Sequence, residues 1–233
     1  MDEQSSNQSH WIPLADLMTG LMMVFMLLTA AFMLRVEQTT TLVVREYVDT
    51  KDEMLRALQR EFAKDLQQWN ATILGDMTIR FNDPTALFAT GSATLQPRFR
   101  QQLADFFPRY IDLLYSDKFR ATITEIRIEG HTSAFWAGAP DARNAYFQNM
   151  RLSQERTRST LEFLFSLPKV QGREPWLVER LTANGLSSSR PVTDGGQALA
   201  GSAALNQRVE FRIVTNADER IGRIVKSIGA NGT

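Results

Sequence analysis

The chain contains no cysteine, which excludes a disulfide framework, a thiolate metal site, a cysteine nucleophile and a lipid anchor on a leading cysteine. It carries no net charge: 26 Lys and Arg balance 26 Asp and Glu over 233 residues, so no basic surplus points to direct nucleic-acid binding. Its two histidines, His10 and His131, are too few to build a histidine metal cluster. The first ten residues, MDEQSSNQSH, hold no Lys or Arg, no charge occurs between Leu17 and Leu34, and no Gly or Pro occurs between Arg35 and Asn70.

The uncharged run LMTGLMMVFMLLTAAFML makes roughly 27 Å of helix, close to the ~30 Å hydrocarbon core of a bilayer. Extended back to Trp11 it reaches about 36 Å, enough to span with tilt. Trp11 fits an interfacial anchor, Pro13 the first helical turn, and Arg35 a snorkelling end. A signal peptide would need a basic leader, which the acidic tail does not supply. Arg35 and Arg45, both after the span, weakly favour a cytoplasmic C-terminal side by the positive-inside rule.

Asp16 lies inside the apolar stretch, after Trp11, Ile12, Pro13, Leu14 and Ala15, with Thr19 and Gly20 one turn on. A carboxylate at mid-bilayer costs ~2.5–3.5 kcal/mol on insertion scales, and less near an end. Two readings stay open: an interfacial acid favoured by the helix dipole, or an ion-handling acid packed against other helices, its pKa raised by low dielectric.

The connector repeats Leu55, Leu58, Phe62, Leu66 and Trp69 at three- and four-residue steps, an amphipathic stripe that serves either a dimerising coiled coil or packing on the following domain. Thr39–Thr41 is expected to loosen the helix near the membrane. Beyond it, MTIRF (77–81) reads as a strand, 98–115 as a helix, ITEIRIEGH (123–131) as an alternating strand, 149–167 as a second helix, and 181–187 and 207–214 as further strands. The order β-α-β-α-β-β predicts an α+β fold, helices on a mixed sheet. The expected divisions are a tail (1–10), a transmembrane helix (11–35), a helical connector (36–72), the α+β domain (73–216) and a C-terminal helix or tail (217–233). No Ser/His/Asp signature or paired-acid motif stands out, so an enzyme is not expected.

Two resemblances follow from these residues. The stretch WIPLADLMTGLMMVFM (11–26) resembles the membrane helix of MotB-type stator subunits, whose acid binds the permeating ion within a ring of partner helices. FATGSATL (88–95), IEGHT (128–132), NMRLSQER (149–156), GLSSSRP (185–191) and NQRVE (206–210) resemble, in order, the motifs of OmpA-like peptidoglycan-binding domains. The first resemblance implies Asp16, with Thr19, as the path of a transported H⁺ or Na⁺, no bound cofactor, a MotA-like multi-pass partner, and a dimer. It also implies a bacterial inner-membrane location with a cytoplasmic N-terminus and a periplasmic C-terminal domain. The acidic tail and compact connector are more similar to the MotB-like subunits of Zorya anti-phage defence systems, whose partner is ZorA, than to flagellar stators. A flagellar-type stator subunit and a passive wall anchor are the alternatives.

The second resemblance implies that Arg156 clamps a stem-peptide carboxylate, with Asn149, Leu152, Thr132, Ser133 and Arg208 around it. Asn149 and Arg156, two turns apart, share one helix face. One departure stands out: the family follows Gly-His-Thr with Asp, which pairs with the ligand ammonium, and this chain has Ser133, leaving Asp141 as the nearby substitute. Arg208 and Glu210 are expected to pair structurally, and His131 to be structural rather than a metal ligand.

Overall fold

The computed structural model describes residues 11–194, 197–198 and 206–216. The expected tail 1–10 and the C-terminal helix or tail 217–233 lie outside the described residues. The chain divides into two units, residues 1–50 and 51–233.

Helix α1 (Trp11–Phe62) begins the described chain and runs through Thr39–Thr41 without a break, so the β-branched run does not interrupt it. In the first unit, Leu14–Arg35 is long and apolar enough to cross a membrane: 22 residues with a mean hydropathy of 2.2, none buried within the chain. Thr19 and Thr29 turn their hydroxyls back onto the carbonyls of Ala15 and Phe25, which satisfies both groups inside the helix.

The second unit is built on a five-stranded mixed sheet. Its elements are α2 (Leu66–Trp69), β1 (Ala71–Ile73), β2 (Ile79–Phe81), α3 (Pro84–Leu87), α4 (Pro97–Leu114), β3 (Ile123–His131), α5 (Ala142–Phe165), α6 (Glu174–Arg180), β4 (Leu181–Ser187), β5 (Thr193–Asp194), β6 (Gln197–Ala198) and β7 (Arg208–Thr215). The strand order is β1-β2-β7-β3-β4, with β3 and β4 parallel and every other neighbour antiparallel; β5 and β6 form a separate hairpin. The expected β-α-β-α-β-β order is present, with β1, the hairpin and three short helices added to it. Helix α5 starts seven residues earlier than the apolar spacing indicated, because Asp141 caps it by accepting the amide of Asn144 at 2.7 Å.

The sheet has two unlike faces, set by strand alternation. On one, Ile126, Ile128, Val209, Phe211, Ile79 and Phe81 meet α4, where Phe106 packs on Phe211 with centroids 5.1 Å apart and on Tyr110 at 4.9 Å. The connector stripe joins this core: Met54, Leu58, Phe62 and Trp69 are buried, and Phe62 meets Phe106 at 5.2 Å. That stripe therefore packs on its own domain. Arg109 clips the same helix end from outside, its guanidinium reaching Glu61 at 2.8 Å and Asp65 at 2.9 Å.

Helix α5 covers β3 and β4 through a stripe of small hydroxyl residues, Ser153, Thr157 and Thr160, all buried. Gly130 and Gly185 lie beneath it: a Cβ at Gly130 would stand 2.6 Å from Thr157 Cγ2, and one at Gly185 would fall on the backbone of Gln154. The helix rests directly on strand backbone at these points. Gly185→Ala should lower stability by about 1–3 kcal/mol, since the helix must shift to admit the methyl. Gly172→Ala, with nothing within 4 Å of the added carbon, should leave it nearly unchanged. Paired thermal melts check this, each 1 kcal/mol appearing as roughly 2–4 °C.

Candidate functional site

The opposite sheet face carries a ladder of charges. Cross-strand register places Glu129 against Glu210, Arg127 against Arg212 and His131 against Arg208. Like charges directly opposed repel, but each acid has bases on both diagonals, and Arg80 of β2 stands opposite Glu210 from the other side. Arg80 Nε and Arg208 Nε donate to the same oxygen, Glu210 Oε1, at 2.7 and 2.6 Å. Arg190 and Arg212 flank Glu129 at 3.6 Å each. Arg208 also donates to the carbonyl of Arg190 at 3.0 Å, so it is committed to the fold on two sides.

His131 sits inside this ladder, its Nε2 3.5 Å from Glu210 and 3.9 Å from Glu129. Burial pushes its pKa below the ordinary value; Glu210 and Glu129 pull it up, Arg208 pushes it down, and burial prevails. Burial likewise works against the Glu210 carboxylate, but His131 and Arg208 together hold it well below the usual range. Glu129, His131 and Glu210 each present a ligand atom within 4.8 Å of the others, the donor set of a divalent cation. The guanidiniums already on these carboxylates oppose adding a dication there.

At the end of the ladder β3 shifts register against β4 between Gly130 and His131, and the site residues gather. The Thr132 amide donates to the carbonyl of Ser187 at 3.0 Å. Ser187 holds a positive φ of 51°; its amide donates to Ser153 Oγ at 3.0 Å and its hydroxyl to the Tyr146 carbonyl at 3.1 Å. This ties the strand end to α5. Asn149 Nδ2 and Ser133 Oγ both donate to the carbonyl of Phe135, at 3.1 and 3.3 Å. Leu152 is buried between Asn149 and Arg156 on the sheet-facing stripe of α5.

Arg156 is 6% exposed. Its Nε donates to the Ser92 carbonyl at 2.9 Å, its Nη2 to the Ala89 carbonyl at 3.2 Å, and its guanidinium lies 4.8 Å over the Phe88 ring. No carboxylate among the described residues pairs with it, and burial without an acid lowers its pKa to about 10. Beside it is a cavity of about 10 Å³, lined by Phe88, Gly130, His131, Arg156, Arg208 and Val209 among others. That is room for about one water.

Of the residues expected at the site, the structure places Arg156 and Arg208 on one cavity, and Asn149 with Ser133 on one carbonyl. Asp16 and Thr19 belong to the first unit. Asp141 is spent as the α5 cap and is not a free acid beside Ser133. Glu129, Ser153 and Ser187 were missed; the signal for Glu129 was a charge within an otherwise apolar strand end.

No family model matches the chain. It is 39% identical over 230 residues to the Zorya protein ZorB of Escherichia coli (strain Crooks), covering 97% of this chain and 96% of that one. Among solved structures, it is similar to the cell wall anchor of the T6SS from Pseudomonas aeruginosa, with 24% identity, a TM-score of 0.46, and 68% and 97% of the two chains covered. It is also similar to the periplasmic domain of Helicobacter pylori MotB, with 12% identity, a TM-score of 0.43, and 67% and 86% covered.

The buried imidazole sets a pH dependence. Its folded pKa lies below the unfolded value near 6.5, so the unfolded chain takes up a proton first as pH falls. Stability should be level above pH ~6.5 and decline below it, while the loss from Glu210 begins only below about pH 4.5. His131→Gln should flatten the decline between pH 7 and 5, measured by urea unfolding at fixed pH.

Proposed function

The chain belongs to the ZorB family of Zorya proteins, and on that premise we propose that it is the wall-anchored subunit of an ion-driven complex in anti-phage defence. In this reading a dimer of the chain works with a ZorA-like multi-pass partner in the inner membrane. Asp16, with Thr19 one turn on, carries H⁺ or Na⁺ along the partner's helices, and the C-terminal unit lies in the periplasm and holds peptidoglycan.

The observation that carries the anchoring part is Arg156. A guanidinium this deeply buried with no acid is a receptor awaiting a carboxylate, and a stem peptide offers one in the bidentate geometry that suits it. The cavity beside it is too small for that carboxylate as it stands. Binding then requires the Ala89 and Ser92 carbonyls to give way, which exchanges two bonds from a charged donor to neutral carbonyls for bonds in which both partners are ionised. Gly91, at φ 68° with open space around it, is the turn about which that segment moves.

The carboxylate in the membrane helix supports the ion-handling part. Asp16 is the one acid in the stretch Leu14–Arg35, which is long and apolar enough to cross a bilayer, and an intramembrane acid that is not used is a cost without return.

Expressed with its multi-pass partner, the Asp16→Asn chain should still co-sediment with sacculi but lose protection against phage. Arg156→Ala should lose most sacculus binding, by about tenfold or more, with the Asp16 carboxylate intact. Full protection by Asp16→Asn would reduce the chain to a passive anchor; unchanged co-sedimentation of Arg156→Ala would remove the carboxylate receptor.

A further inference from the structure

Large apolar side chains that stand in solvent are few among the described residues of the second unit: Phe135, Phe147 and Val178. Phe135 is the most exposed, at 76%. It lies in the segment 133–140, SAFWAGAP, which contains no charged side chain. The segment is not loosely hung. The Phe135 carbonyl accepts both the Asn149 amide and the Ser133 hydroxyl, the Ala139 amide donates to the Trp136 carbonyl at 3.2 Å, and Gly138 turns the chain at φ 79°. The Phe135 backbone is thereby fixed beside Asn149 while its ring makes no aromatic or cation contact with any described residue.

The ring is 76% exposed on a backbone that hydrogen bonds hold in place, so it offers apolar surface in a fixed position. Two features select the occupant. The segment has no charge, so it is unsuited to reading the ionic ends of a peptide. It is also continuous, through Asn149, with the face on which the wall peptide is proposed to sit. Of the two halves of the wall polymer, the stem peptide is ionic, and the glycan offers C–H faces of pyranose rings that lie flat on aromatic rings.

We propose that Phe135, with Trp136 next in the chain, is a sugar platform that holds the glycan strand beside the stem-peptide site. This rests on the wall-binding reading above and adds a second, saccharide-specific contact to it. Phe135 contacts ligand and supplies apolar surface; Ser133 and Asn149 are positioning residues that fix its backbone.

The test titrates the full-length chain in detergent with two probes: the free tetrapeptide stem, and the same stem carrying its disaccharide, released from sacculi. The wild-type chain should bind the disaccharide-peptide about fivefold more tightly, ~1 kcal/mol by the affinity relation. Phe135→Ala should abolish that ratio and leave the free-peptide affinity unchanged, and Phe135→Trp should restore it. Equal loss for both probes, or no change for either, overturns the platform while leaving the peptide site standing. A change of oligomeric state in Phe135→Ala, read by light scattering with the ratio intact, assigns the ring to a second copy of the chain and also overturns it. If the wild-type chain binds neither probe, the wall reading itself fails, and the platform with it.

Discussion

The second unit depends on how closely α5 lies on the sheet. Where most helices meet a sheet through large apolar side chains, α5 meets β3 and β4 through Ser153, Thr157 and Thr160 over Gly130 and Gly185. The close approach lets Ser153 accept the amide of Ser187 and brings the Tyr146 carbonyl within reach of the Ser187 hydroxyl. It also fixes the height at which Asn149, Leu152 and Arg156 leave the same stripe of the helix. A helix standing one methyl further off would lose these bonds and carry Arg156 away from the carbonyls of Ala89 and Ser92. The hydroxyls on this stripe satisfy themselves on carbonyls of the preceding turn, so a polar helix face is buried without orphaned donors.

The other face of the same sheet poses the opposite problem, charge rather than closeness. Glu129 and Glu210 are neighbours across β3 and β7, and that pairing is tolerable only because arginines and a histidine occupy the diagonals. Arg80 and Arg208 hydrogen-bond Glu210, and Arg190 and Arg212 flank Glu129 at 3.6 Å. Arg156, near the end of this ladder, is the exception, a buried cation that the ladder does not neutralise. In the proposed reading, balanced charge serves the fold and the unbalanced Arg156 serves the ligand. That contrast separates Arg208 from Arg156 although both line the same cavity.

Much of this was legible before any coordinates. Strands 123–131 and 181–187 coincide residue for residue with β3 and β4; alternation and β-branched residues mark the first strongly, while the second holds one β-branched residue, Thr182. The α+β class followed from the same rhythm. Three-residue β1 carries too little pattern to be seen, and it exists by pairing with β2. The expected start of α5 falls late because Ala142–Gln148 bury a single small side chain, Ala145, and so show little hydrophobic periodicity, although Asp141 held a capping signal. The connector stripe has one periodicity for two outcomes, and only the aromatic contacts of Phe62 and Trp69 decide that it closes the core of its own domain. The motif residues fall into two groups, Arg156 with Arg208 and Asn149 with Ser133. What sequence could not supply was which charges are already neutralised, since that depends on cross-strand register and on a loop carbonyl reaching a guanidinium 64 residues away.

Joined in one chain, an acid set in an apolar helix and an uncompensated arginine in a folded domain support the proposed reading of a subunit anchored to the wall while it acts at a membrane. The anchor is the half of that account that chemistry can isolate. The most direct measurement is calorimetric titration of the full-length chain with the stem peptide and with the same peptide whose carboxylates are converted to carboxamides. The account predicts that the carboxamide binds at least about tenfold more weakly, and that the difference disappears in Arg156→Ala. Equal affinity for the two peptides in the wild-type chain would contradict it.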